Sequence, residues 1–251
     1  MLNRSYRLAE LGPELAAVGV DALVLVQAAD SEAETAELLR VAAESPVATR
    51  VVGWLPLADP DATAVALQRF HRRSALVGVR HLIHDEPDPE WLLRPDVRSG
   101  MDLIAAAGLV FDAVAERPEL LAQLPVLARR HPTLTIVLDH LGKPGIATRS
   151  WQPWADLIAQ AAGEPNVVAK ISGLGTVSGA DWTAADWRRY VDHALTVFGP
   201  DRLMLGGDWP VALQSGSYQH TWAVTLDVVD ALSPAERSAV RAGTAGRIYR
   251  F

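Results

Sequence analysis

The 251-residue chain contains no cysteine. That excludes disulfides, a thiol nucleophile and a Cys-ligated metal, and it fits a cytoplasmic enzyme. Long hydrophobic runs are also missing. The apolar stretches are strand-sized, so no segment is expected to span a membrane. The opening segment Met1–Glu10 is polar and carries no hydrophobic signal region. Basic residues are in the minority, 23 Lys and Arg against 30 Asp and Glu, giving a net charge of −7. They are also dispersed, which argues against a nucleic-acid groove or an anionic membrane partner. No linker, low-complexity tract or charge run divides the chain, and one α/β barrel fills about this length. A single domain over residues 1–251 is therefore expected.

What is present is a regular alternation. Apolar residues are 49% and charged residues 21%, enough for a sizeable core. Seven short stretches rich in Val, Ile and Leu end in polar residues: Ala22–Gln27, Arg50–Trp54, Val77–His81, Leu109–Asp112, Leu134–His140, Val167–Ser172 and Leu203–Asp208. Helix-like segments separate them. Among these are Ser31–Ala43, Asp61–Arg72, Pro118–Arg130, Thr183–Phe198 and two closing helices near Tyr218–Ala231 and Pro234–Ala242. Ser31 with Glu34, Thr183 with Asp186, and Ser233 with Glu236 have capping-box spacing. Alternating βα units of this kind make a barrel or an open doubly wound sheet. An open nucleotide-binding sheet usually has a Gly-rich turn after its first strand. Here that strand runs into Gln27-Ala28-Ala29-Asp30. The barrel is favoured, with its chemistry at the carboxyl ends of the strands.

Asp208 is the strongest candidate for chemistry. It follows Leu203-Met204-Leu205-Gly206-Gly207 and precedes Trp209-Pro210. A carboxylate there can be a general base or a metal ligand, or merely a turn cap. His140 stands in Asp139-His140-Leu141-Gly142-Lys143-Pro144, and strand alternation predicts that only one of Asp139 and His140 points inward. Arg80 and His81 end another strand and could clamp a carboxylate or polarise a carbonyl, or form a rim salt bridge. Lys170 lies in an apolar strand, where burial demands a partner, and shares a face with Ser172. Gln27, Trp54 and Trp209 could line the mouth. His84, Asp85 and Glu86 read as a solvated rim. His71, His131, His193 and His220 read as structural or surface residues, and Trp182, Trp187 and Trp222 as packing.

Taken in order, Gly78-Val79-Arg80-His81, Val137–Pro144, Lys170–Leu174, Phe198–Met204, Gly206-Gly207-Asp208-Trp209-Pro210 and Gly243–Tyr249 resemble the amidohydrolase-superfamily branch known as predicted metal-dependent hydrolases of the TIM-barrel fold. The resemblance implies a (β/α)8 barrel. It also implies a hydrolase opening the lactone of a sugar acid or a related carboxylated compound. Asp208 would activate water, or hold the metal that does, and His140 would polarise the carbonyl or bind metal. Arg80, His81, Lys170, Gln27, Trp54 and Trp209 would contact substrate. A divalent metal, zinc or manganese, stays open, as does a homo-oligomer. A metal-dependent decarboxylase and a non-catalytic relative that binds a small acid are the alternatives. The family opens with a strand ending in His-x-His, whereas this sequence has no histidine before His71. Residues Met1–Tyr6 look like the segment that follows such a strand, so the barrel is expected to lack its first strand here.

Overall fold

A computed structural model describes residues 3–70 and 75–251. His71 and the end of the helix expected over Asp61–Arg72 lie outside the described residues. Seven parallel strands form one curled sheet in sequence order: β1 (Ala22–Val26), β2 (Ala48–Gly53), β3 (Leu76–His81), β4 (Val110–Ala113), β5 (Ile136–Leu138), β6 (Val167–Ile171) and β7 (Leu203–Leu205). The helices around it are α1 (Leu8–Val18), α2 (Glu32–Glu44), α3 (Pro60–Phe70), α4 (Pro95–Ala106), α5 (Pro118–Leu121), α6 (Leu124–Arg130), α7 (Trp154–Ala162), α8 (Ala184–Phe198), α9 (Tyr218–Asp227), α10 (Pro234–Ser238) and α11 (Thr244–Tyr249). This is a TIM-barrel-like α/β fold. Among the described residues β1 and β7 each pair with one strand.

The core has two layers. Between sheet and helices lies the larger one, including Val51, Val79, Phe111, Ile136, Val167 and Leu203. Inside the curl, Val52, Val110, Val137, Val168 and Met204 pack against Ile248 and Tyr249 from α11. The last helix therefore plugs the end of the barrel opposite the strand tips. Arg80, Asp112, Lys170 and Ser172 lie at or near the carboxyl ends of their strands, where partners can be gathered for them.

Local chemistry explains where the elements differ from expectation. The capping boxes at Thr183 and Ser233 form as read. That at Ser31 is half formed: Ser31 Oγ accepts from the Glu34 amide at 3.2 Å, but the Glu34 carboxylate turns to the amides of Ala28 and Ala29. The Ser31 amide already donates to Ala29 O, so it has no need of the glutamate. The helix expected over Pro118–Arg130 is two, α5 and α6. Pro125 has no N–H to continue the ladder across the junction. The last expected helix is α10, followed by a π turn over Ala239–Gly243 that leads into α11.

Candidate functional site

β5 ends at Leu138, and the chain then makes a left-handed turn. His140 (φ 55°), Leu141 (φ 51°), Gly142 (φ 67°) and Lys143 (φ 49°) all have positive φ. Only glycine adopts this conformation freely, and each of the others costs on the order of 1–2 kcal/mol. Asp208 is also left-handed, at φ 49°. Strain of this kind persists where surrounding contacts over-determine it. Here the Trp154 indole donates to Leu141 O at 2.7 Å, the Lys143 amide to His140 O at 2.9 Å, and Lys143 Nζ meets Glu116 at 2.6 Å.

The turn sets His140 against Ser172 and Asp208. His140 Nδ1 lies 2.8 Å from Ser172 Oγ, and its Nε2 lies 3.7 Å from Asp208 Oδ1. That second distance is too long for a hydrogen bond, but a water set to one side of the pair can reach both groups. Gly173 (φ 62°) makes the approach possible. A Cβ there would meet Asp208 Oδ2 at 2.7 Å and His140 Nδ1 at 2.8 Å. Burial pushes the His140 pKa down, against the pull of the Asp208 and Asp139 carboxylates, which favours a neutral imidazole.

Below this pair runs a buried ion network. Lys170 Nζ lies 2.5 Å from Asp112 Oδ2 and 2.7 Å from Asp139 Oδ1. Arg80 reaches Asp139 Oδ2 at 3.0 Å and also donates to Gln27 O. The Tyr249 hydroxyl donates to Asp112, 2.9 Å from Oδ2. Burial alone would lower the Lys170 pKa, but the two carboxylates hold it well above its usual value. Burial likewise works against the Asp139 carboxylate, yet the Lys170 and Arg80 charges keep it ionised below the usual range. Asp112 goes the other way: burial raises it more than Lys170 lowers it. Strand alternation does not separate Asp139 from His140 as expected. Both follow the end of β5, and the left-handed turn brings both to the same face.

A second cluster surrounds His81. The Trp54 indole donates to His81 Nδ1 at 2.9 Å, so the proton sits on Nε2, which faces Glu86 Oε1 at 2.6 Å. Trp91 stacks on the imidazole at 4.0 Å. Gln27 is fully buried and donates to Arg80 O and Asp30. Its Oε1, like Arg80 Nε, is buried without a hydrogen-bond partner among the described residues. Trp209 packs beside Tyr6 at 5.4 Å, near α1.

The structure thus brings Asp208, His140, Lys170 and Arg80 together and sets His81, Trp54 and Gln27 beside them. Glu86, read as rim, is the partner of His81. Asp112, Gly173 and Tyr249 carry no role in the sequence reading, although the need of Lys170 for a partner is legible there. Of the other described histidines, His131 pairs with Asp102 at 2.9 Å, His193 contacts Ala155 O, His220 packs on Trp182, and His84 lies 3.8 Å from Asp85 at the rim. Trp182 stacks on Trp187, and Trp222 on Tyr218, as packing residues.

No group of three potential metal ligands occurs among the described residues. His140 Nε2 and Asp208 Oδ1 nevertheless fit as two. Donors sharing one tetrahedral zinc at about 2.1 Å lie roughly 3.4 Å apart, close to the 3.7 Å seen here.

A parallel α/β sheet with His and Asp converging at its carboxyl ends is the arrangement of a TIM-barrel-like enzyme. The amidohydrolase family model matches residues 2–251, and the chain belongs to that family. It is 34% identical over 254 residues to an L-fucono-1,5-lactonase of Burkholderia ambifaria, covering 100% of this chain and 87% of that protein. It is 35% identical over 263 residues to the L-fucono-1,5-lactonase of Burkholderia multivorans, at 99% and 87% coverage. The crystal structure of a Burkholderia multivorans amidohydrolase with bound zinc superposes with a TM-score of 0.92 at 35% identity, covering 100% of this chain and 90% of that one.

Proposed function

We propose that the protein hydrolyses an uncharged sugar-acid lactone, with Asp208 and His140 as the catalytic pair. The observation that carries this reading is the convergence of His140 Nε2 and Asp208 Oδ1 to 3.7 Å, an approach that the missing side chain of Gly173 permits. Asp208 takes a proton from a water bridging the pair, and the water oxygen adds to the lactone carbonyl. The neutral His140, anchored by Ser172, donates from Nε2 to the developing oxyanion. The ring C–O bond then breaks, and its oxygen leaves with a proton returned by the pair. A zinc held by His140 and Asp208 would polarise the carbonyl and lower the pKa of water; zinc in the Burkholderia multivorans amidohydrolase supports that option.

Charge supports the lactone class. Lys170, Arg80 and Lys143 are each matched by a carboxylate. A carboxylated ring or a benzoate would meet no unmatched cation among these three, whereas a neutral polyol needs none. The His81, Trp54 and Trp209 side chains would wall a neutral ring, with Gln27 and the Nε of Arg80 buried behind them. The likeness to two L-fucono-1,5-lactonases points to the same substrate class. In this reading Lys170 and Arg80 set the field rather than grip substrate. The family's His-x-His strand would sit beside β1 and β7. We also place the protein in the cytoplasm as a single domain, on its lack of cysteine and its short connections.

A panel of neutral aldonolactones and carboxylated lactones, with and without zinc, tests the proposal. Neutral rings should be opened, and Asp208→Asn should lose at least about a hundredfold in kcat with little change in Tm, because Asn tolerates a positive φ. A variant as active as the parent, or a preference for carboxylated rings, would overturn it.

A further inference from the structure

The last turn of the chain is tied to the strained turn that carries His140. The Tyr249 ring belongs to the apolar plug of the barrel, with Val52, Val110, Val137, Val168 and Met204. A phenylalanine would serve that purpose equally. Its hydroxyl instead meets Asp112, at 3.1 Å from Oδ1 and 2.9 Å from Oδ2. Asp112 is fully buried and holds Lys170 Nζ at 2.5 Å, and Lys170 in turn holds Asp139 Oδ1 at 2.7 Å. Asp139 is the residue immediately before the left-handed turn His140–Lys143.

We propose that Tyr249 is a positioning residue: through Asp112 and Lys170 its hydroxyl fixes Asp139, and so holds the left-handed turn in place. A left-handed run of three non-glycine residues is unfavourable by itself and needs fixed contacts on both flanks. On the far flank it has Trp154 on Leu141 O and Glu116 on Lys143. On the near flank it has the two ion pairs of Asp139, and one of these is oriented from Tyr249. The carboxylate of Asp112 is fully buried, so a lost donor is felt in full. Burial holds the phenol well above its usual pKa, so it stays a donor.

The assignment of Tyr249 to catalysis rests on the proposed lactonase reading, but the link to the turn can be read without substrate. Hydrogen exchange follows the Lys143 amide, which is bonded to His140 O. In Tyr249→Phe that amide should exchange about tenfold or more faster, while amides of β2 and β3 stay as protected as in the parent. Asp112→Asn, which leaves the plug untouched, should speed the same amide, and combining the two changes should add little to either. On a lactone that the parent opens, Tyr249→Phe should lower kcat about tenfold at unchanged KM. An unchanged Lys143 amide in both single variants overturns the proposal, as does fully additive behaviour in the pair. If Tyr249→Phe loosens the whole barrel, Asp112→Asn alone decides. A parent inert on every lactone, with the exchange effect intact, sinks the functional reading and leaves the structural link standing.

Discussion

Gly173 shows how little separates a working face from a blocked one. It lies at φ 62°, where any side chain is strained, and its missing Cβ is the space that Asp208 and His140 share. Gly173→Ala should cost on the order of 1–2 kcal/mol from the conformation alone. It should also drive the His–Asp pair apart, lowering kcat about a hundredfold. Denaturant unfolding beside lactone turnover checks both parts, and a fully active Ala variant would mean that the close approach has no role. Asp208 and His140 themselves are legible in the sequence, because each ends an apolar run beside turn residues. Their distance is not, since it depends on a left-handed turn that Leu141 and Lys143 would not adopt by preference. The partners of Lys170 are hidden for a different reason. Asp112 is 58 residues from Lys170 and 137 from Tyr249, and no local pattern connects such positions.

Whole elements were easier to read than their ends. Each of the seven strands overlaps one of the apolar stretches and runs past it by at most two residues, because a strand buried on both faces has little choice of composition. Boundaries followed finer chemistry, as where Pro125 split a helix and where β5 stopped short of Asp139, so that alternation no longer governed the next two side chains. One contact between elements gives a pH signature. Tyr218, on α9, is buried against Leu11 and Leu15 of α1 and against Gly207 after β7. Burial, helped by the Glu14 carboxylate, pushes its pKa up to about 12. The folded pKa thus exceeds the unfolded value near 10, so the contribution is fully present below pH 10 and is lost as pH rises towards 12. A difference of this size amounts to about 2–3 kcal/mol. Stability measured by denaturant from pH 9 to 12 should fall more steeply in the parent than in Tyr218→Phe. Parallel curves for the two proteins would rule the effect out.

At the scale of the molecule, the charged network is what joins the two ends of the barrel. It draws Arg80 from β3, Asp112 from β4, Asp139 from the end of β5, Lys170 from β6 and Tyr249 from α11. With two carboxylates and two cations the cluster is balanced, and its balance is what allows it to be buried. Lys170→Met keeps the volume and removes one cation. Asp112 and Asp139, both almost wholly buried, then confront each other with Arg80 as their one cation in the network. The expected cost is about 3–5 kcal/mol, or roughly 6–20 °C in Tm for a chain of this size. Removing a negative charge at the same time should recover part of that loss, so Lys170→Met/Asp112→Asn should melt above Lys170→Met. The comparison separates two roles for the lysine. If Lys170 serves to hold substrate, its replacement raises KM and leaves the melting curve in place, and Asp112→Asn rescues nothing. If it serves the network, the melting curve moves first and the second substitution moves it back.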